Sequence, residues 1–224
     1  MSISVYGIGW LTQEGYGCIK SGLQHAYEMG EGAHTLPKRD IFSHPFKNFG
    51  RLDTISKMTA FAVSLALQDG GIEYSPTDKQ DIGIVGTNCE GSLRSDIEYF
   101  RDYLAGGRTL SRGNLFIYTL PSSPLGEAAI HFGLRGPVAY IASEDHALTA
   151  VLDTAEEMIL ANEAPAMLAG TSEAEEAIFF VLARDHGGDR QVLCGLEEAR
   201  ALAETSLDLS GLVQKFFRIA ERKG

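Results

Sequence analysis

Runs of β-branched and apolar residues alternate along the chain with stretches in which apolar residues return every three or four positions. The opening run SISVYGIGW reads as a strand, and RLDTISKMTAFAVSLALQDGGI keeps helical spacing up to the stop signal Gly70-Gly71. DIGIVGTNCEG reads as a buried strand entering a turn. Helical SLRSDIEYFRDYLAGG follows, then PSSPLGEAAIHFGLRGP, a helix started by proline and closed by glycine. VAYIAS, Val138 to Ser143, is the third strand, and a helix runs from Asp145 to Asn162. AMLAGTSEA, AIFFVLAR and RQVLCG are the last strands, the final two joined as a hairpin by DHGGD, Asp185 to Asp189. The tail from Glu197 to Lys223 is helical, with a break near Thr205 to Asp208, where Ser206 or Asp208 is the N-cap. Leu209, Leu212, Val213, Phe216, Ile219 and Ala220 give it one apolar stripe. The pattern predicts an α/β fold, a mixed sheet of about five to six strands flanked by helices. Residues 1–224 read as a single domain with a helical tail from about 197, without a fixed-period repeat.

Composition matters mainly for what it removes. The 224 residues, 44% of them hydrophobic, suit one domain that buries roughly 70% of its unfolded surface. A formal charge of -11, uninterrupted by a basic run, argues against nucleic acid and anionic lipid as partners. The N-terminus lacks a basic segment ahead of a long apolar run, and no window reaches the length of a membrane span, so a cytoplasmic protein is expected. Cys18, Cys89 and Cys194 are widely spaced and lack a CxxC pair, which points to reduced thiols rather than disulfides or zinc ligands.

Candidate chemistry collects at the helix after VAYIAS. Asp145 reads as a general base, aided by His146, or as a carboxylate that merely favours a helix start. Steps of about 100° place Asp145, His146, Thr149, Asp153, Glu156 and Glu157 on one polar sector, opposite Ala147, Leu148, Val151, Ala155, Met158 and Ile159. The helix therefore has one wet face. Cys89 is a displaced nucleophile or, on the plainer reading, a semi-buried small apolar residue. DHGGD offers metal-ligating side chains but has the composition of a turn, so no metal is expected. Arg94, Arg101 and Arg108 recur every seven residues, as a stripe for an acidic carrier protein or as a solvated face paired through Glu98. Neither GxGxxG nor GxxxxGK[ST] is present, and no cofactor is implied.

The span GLRGPVAYIASEDHALTAVLDTAEEMILANEAPAMLAGTSEA resembles the N-terminal half of β-ketoacyl-acyl-carrier-protein synthases, members of the thiolase-like superfamily. Gly136-Pro137, the helix length, and Ala169-Gly170 with Glu173 fall in that family's order and spacing, and the resemblance covers most of the first 184 residues. It implies a single thiolase-like lobe of a fold built from two similar halves. In active synthases a cysteine opens the buried helix and takes the acyl chain; Asp145 holds that position here, and a carboxylate cannot replace a thiolate in this chemistry. The family's two catalytic histidines belong to a second half that this sequence does not reach. In a complete synthase the helix is enclosed between two layers, so three acids on its polar face suit a lobe without its second half.

The resemblance further implies that VAYIAS lies beside a dimer axis and pairs antiparallel with its mate, through Ala139, Tyr140, Ile141 and Ala142. The expected role is that of a catalytically incompetent ketosynthase-like partner or scaffold in fatty-acid or polyketide-type synthesis, akin to a chain-length factor. It would form a homodimer, or a heterodimer with a ketosynthase-like protein, and meet an acyl carrier protein. Two alternatives stay open: a small acyl-thioester enzyme or decarboxylase using Asp145 and His146, and an acyl-ligand-binding protein.

Overall fold

A computed structural model of the chain describes residues 2–28, 30–109, 111–143, 146–185 and 191–223. In chain order it holds β1 (Ile3–Leu11), β2 (Gly15–Cys18), β3 (Gln24–Ala26), α1 (Lys38–Ile41), α2 (Thr54–Asp69), β4 (Ile82–Thr87), α3 (Leu93–Ala105) and α4 (Gly113–Ile117). There follow α5 (Ser123–Phe132), β5 (Val138–Tyr140), α6 (Ala147–Leu160), β6 (Ala166–Ser172), β7 (Ala177–Arg184), β8 (Cys194–Gly195), α7 (Leu196–Glu204) and α8 (Leu209–Lys223). One mixed sheet runs in the order β3-β2-β1-β7-β6-β4-β5, with β8 paired to β1. β4 is parallel to both β5 and β6, and β7 is antiparallel to β6 and β1.

Two cores flank the sheet. On one face α2 and α5 bury Phe61, Leu65, Leu125 and Phe132. On the other, Val151, Leu152 and Ile159 of α6 join Leu212, Val213 and Phe216 of α8. Nine consecutive residues of β1 are buried because strands flank it and helices cover both its sides, which explains an unbroken apolar run.

The centre of the fold is the contact of α2 with β1. A side chain at Gly7 would lie 2.3 Å from the Gly70 nitrogen, and one at Gly9 would lie 2.2 Å from the Ala66 nitrogen. Only glycine lets the helix backbone come this close. At the C-terminal end of α2 the buried Asp69 carboxylate closes the contact. Its Oδ2 accepts the Ile8 amide at 2.8 Å and the Lys20 amide at 3.0 Å, and its Oδ1 accepts the Ser21 amide at 2.9 Å.

Three predicted features change. The sheet has eight strands among the described residues rather than five or six, because β2 and β3 have only four and three residues and leave no period-two signal. AIFFVLAR and RQVLCG do not form a hairpin. β8 pairs Cys194 with Val5 and Gly195 with Ser4, on the side of β1 away from β7, where β2 reaches only Gly9 to Leu11 and leaves a gap. The connection, His186 to Asp189, lies outside the described residues. VAYIAS is a strand only as far as Tyr140, and α6 begins at Ala147 rather than at position 145.

The tail break falls where expected, with Asp208 Oδ1 accepting the Gly211 amide at 2.7 Å. The apolar stripe of α8 packs within this chain. Phe216 meets Phe180 at 5.5 Å between ring centroids, and Phe217 meets Trp10 edge-on at 6.0 Å. Arg200 of α7, buried apart from 14% of its side chain, reaches Asp153 at 2.6 Å and also pairs with Glu156 and Glu197. The wet face of α6 is thus as predicted, with Asp153 and Glu157 exposed and Val151, Leu152, Ala155 and Ile159 buried, but a tail arginine holds two of its acids.

Asp69→Ala removes the acceptor of three amides, one of them buried, and is expected to cost about 3 to 5 kcal/mol in denaturant unfolding with an unchanged slope. A loss under about 1 kcal/mol would show that the carboxylate does not hold the helix to the strand. A second test concerns His131, which stacks on Phe46 at 3.8 Å and is 5% exposed. Burial, then the neighbouring His44, pulls its pKa down to about 4. The unfolded chain therefore takes the proton first, so this contribution to stability is complete above pH 6.5 and fades as pH falls toward 4, by up to about 3 kcal/mol. His131→Phe should flatten that acid limb, and an unchanged limb would assign it to other groups.

Candidate functional site

Open parallel sheets gather ligands beyond the carboxyl ends of their strands. Here those ends belong to β4, β5 and β6. The loop after β4 carries Asn88, Cys89 and Glu90; β6 ends in Ser172, with Glu173 just past it; Ser143 follows β5, and His146 precedes α6. Glu173 joins two of these loops. Its carboxylate accepts the Cys89 amide at 2.8 Å and the Cys89 thiol at 3.1 Å. Tyr140 binds the first loop to β5, its hydroxyl donating to the Asn88 carbonyl at 3.2 Å. Below, the Thr59 and Ser172 hydroxyls lie 2.7 Å apart and tie α2 to the end of β6.

A cavity of about 570 Å³ opens over these ends. Its polar rim includes Asn88, Glu90 and Asp96, while Leu93, Pro121 and Tyr140 supply apolar surface. It has no basic side chain among its lining residues, so it suits a neutral or apolar chain better than an anion. A second cavity, of about 510 Å³, lies on the other side of the first turn of α3, beside the start of α2. Lys57 and Arg94 line it together with Tyr27, Glu31 and Glu175. The start of α3 thus separates a crevice lined by two carboxylates, without a basic side chain among its described lining residues, from a partly cationic one.

The predicted site residues divide among these features. Asp145 and Glu144 lie outside the described residues. His146 is exposed and left-handed, with φ 52° and ψ 39°, and is the N-cap residue of α6 without a side-chain cap bond. A non-glycine residue there is strained, a condition that clusters at functional positions. Cys89 is not semi-buried as predicted but exposed, because its loop turns outward after the last buried residue of β4. Its thiol is no ready nucleophile. The hydrogen bond to Glu173, reinforced by burial and carboxylate charge, pushes it up to about 11.

The three arginines do not lie on one helix. Arg94 and Arg101 leave the same side of α3 and are exposed, while Arg108 follows the Gly106-Gly107 turn in a left-handed conformation with φ 62°. Among the described residues no ion pair joins Glu98 to either of the first two. At β5, Pro137 gives its carbonyl to the Ile84 amide and Ile141 gives its amide to the Gly86 carbonyl. Alternation then turns Ala139 toward β4 and leaves the backbone groups of Val138 and Tyr140 facing outward at the sheet edge. Ile141 and Ala142 lie past the strand. No group of three or more His, Cys, Asp or Glu side chains close enough to hold a metal ion occurs among the described residues, and no helix there is long and apolar enough to cross a membrane.

This arrangement agrees with known relatives. The family described as the N-terminal domain of β-ketoacyl synthases matches residues 28–186. The chain belongs to that family. Nodulation protein E of Rhizobium sp. (strain N33) is 28% identical over 151 residues, covering 65% of this chain and 36% of that protein, so the chain matches about a third of the relative's length. The ishigamide ketosynthase/chain length factor superposes with a TM-score of 0.66 at 13% identity, over 87% of this chain and 65% of the other. A type II PKS ketosynthase bound to the hexaketide, solved with its acyl-carrier protein, gives 0.61 at 17% identity over 87% and 61%. At these identities the structures establish the fold, a single α/β lobe of the thiolase-like kind.

Sequence reasoning missed Lys57, Asn88 and the tie between Glu173 and Cys89. The available signal was positional, since each lies at a strand end or helix start facing the sheet's carboxyl edge. At pH 8 the Cys89 thiol should react with iodoacetamide on the order of a hundredfold more slowly than an unperturbed thiol, and Glu173→Gln should restore much of that rate. Labelling as fast as a free cysteine would sink this assignment, and the buried Cys18 and Cys194 supply a slow background.

Proposed function

We propose that this chain serves as a non-catalytic ketosynthase-like subunit in polyketide or fatty-acid assembly, pairing with a ketosynthase-like chain and receiving an acyl carrier protein. The observation that carries the reading is the crevice over the strand ends. Its thiol is held protonated by Glu173, and no imidazole is among its described lining residues. A nucleophile and base within hydrogen-bonding reach, as covalent acyl transfer requires, are therefore not assembled among the described residues. The position that the family gives to its cysteine is Asp145 in the sequence. Similar folds named as a ketosynthase/chain length factor and as a ketosynthase with its acyl-carrier protein support a role in such a complex.

Two surfaces serve the role. The outward amides and carbonyls of Val138 and Tyr140 are a ready template for an antiparallel strand from a partner, which is a second copy of this chain or a catalytic relative. Lys57 and Arg94 would meet the acidic surface or phosphate of a carrier protein, despite the overall charge of -11. The strained His146 favours one rival, an acyl-thioester enzyme that uses this imidazole with Asp145.

Incubation with malonyl and acyl thioesters separates the two. No turnover and no acyl adduct are expected, and His146→Ala should leave complex formation unaltered. Val138→Pro should abolish pairing without unfolding, because proline is tolerated where a strand amide faces away from the sheet. Turnover that vanishes in His146→Ala would overturn the non-catalytic reading in favour of the enzyme.

A further inference from the structure

Trp10, the one tryptophan of the chain, is 3% exposed, and its indole N–H finds no acceptor among the described residues. A buried donor left unpaired is costly, so its surroundings indicate what it would pair with. The ring lies on the α8 face of the sheet, edge-on to Phe217. Register sets Trp10 opposite Gly17 of β2, and Gly17 opposite Gln24 of β3. Gly15 and Ala26 pair two places further along, so on this face the hairpin shows the indole two glycines and an alanine. Nothing larger fits in β2. A Cβ at Gly15 would lie 2.2 Å from the His25 carbonyl oxygen, and one at Gly17 would lie 2.0 Å from that of Leu23. Ser210, Val213 and Gln214 of α8 form the far wall, and a cavity of about 130 Å³ is left between them, Trp10 and the hairpin. Among its described lining residues Trp10 alone carries a buried, unpartnered polar atom.

We propose that this cavity binds a small uncharged molecule carrying both a hydrogen-bond acceptor and a donor, the chemistry of a short polyol or a primary amide, and that the molecule fastens α8 to the sheet. The acceptor answers Trp10, whose indole can only donate. Gln24 on the hairpin side and Gln214 on the helix side each donate and accept, so a ligand with both functions is matched from either wall. Charge rules out anions. Glu14 is among the described lining residues and no lysine or arginine is, so a carboxylate or phosphate would meet an acid with no cation to offset it. His25, the other titratable lining residue, stacks on Tyr16 at 5.1 Å, and Tyr16 precedes Gly17 and so faces the opposite side of the hairpin. At about 30 Å³ for a water-sized group, the volume suits on the order of four heavy atoms.

The lining residues lie between 10 and 26 or between 210 and 214, outside the 28–186 that the β-ketoacyl synthase family matches. The site is therefore made by this chain's own hairpin and tail. A ligand that reaches from Trp10 to Gln214 joins the two, so binding and the docking of α8 are linked, and occupancy stabilises the packed tail.

The emission of the single tryptophan reads the site directly. Titration of the full chain with acetamide and with ethylene glycol should change that emission saturably, half-complete at about 1 to 10 mM, with a parallel rise in Tm. Acetate, as small but charged, should do neither. Ser210→Leu fills the cavity from α8 and should weaken binding about tenfold or more. Trp10→Phe keeps a ring against Phe217 while removing the N–H, and should lose a similar factor by ligand-observed NMR. Saturation by one neutral probe alone supports the site and assigns its ligand to that chemistry. A response that stays linear with concentration, or binding that both variants retain, would mean a general solvent effect around a merely hydrated cavity and would overturn the site. An equal response to acetate would overturn the uncharged class.

Discussion

Everything in this lobe is referred to the place where α2 lies on β1. Gly7 and Gly9 remove the two side chains that would hold helix and strand apart, and Asp69 binds the end of the helix to one amide of β1 and two of the turn after β2. Neither device is apolar. The glycines make close packing possible, while the carboxylate accepts the Ile8 amide, just past the irregular pairing between Val5 and Gly7, and the Lys20 and Ser21 amides of the turn after β2. A buried acid at the end of an otherwise apolar helix is expensive unless each oxygen is bonded, and here each oxygen is.

That contact orients the site through the sheet. β1 pairs with β7, β7 with β6 and β6 with β4, so fixing the first strand fixes the height at which Thr87, Ser172 and their loops emerge. The Thr59 to Ser172 bond makes α2 a direct partner of the site as well as of β1. Glu173 then spends its charge on the Cys89 loop. The same bond that orders the loop suppresses the thiolate, so order and nucleophilicity oppose each other at this position.

Long elements were legible because their patterns are redundant. α2 declared itself by its spacing and its glycine stop; the tail did so by the break at Asp208 and by a stripe whose Phe216 meets Phe180. Short elements were not. β2, β3 and β8 have four, three and two residues, too few to show a period, and the pairing of β8 depends on a gap beside β1 that only the assembled sheet creates. At the site, sequence located the right region but not the partnerships. Glu173 and Cys89 are 84 positions apart, and nothing local predicts their bond. The arginine spacing of seven was real on α3, yet Gly106-Gly107 ended the helix before Arg108. Burial was misjudged for Cys89 because its residue type is commonly interior, whereas its loop had already left the sheet.

The distribution of closed and open surface is uneven, and the unevenness has a direction. On the α6 face the tail completes the packing within the chain: α8 covers Trp10 and Phe180, and Arg200 holds two of the acids that would otherwise repel along α6. Any further layer on that face would first have to displace aromatic contacts and a three-acid arginine cluster. The opposite holds at the β5 end. There the sheet stops with outward backbone groups, α3 turns apolar side chains to solvent, and the crevice has an open wall between them. A chain that closes one face by its own helices while leaving an edge, a helix stripe and a cavity adjacent at one end has restricted where a partner can add surface. Any association would therefore be directed by what folding has already covered as much as by what it has left exposed.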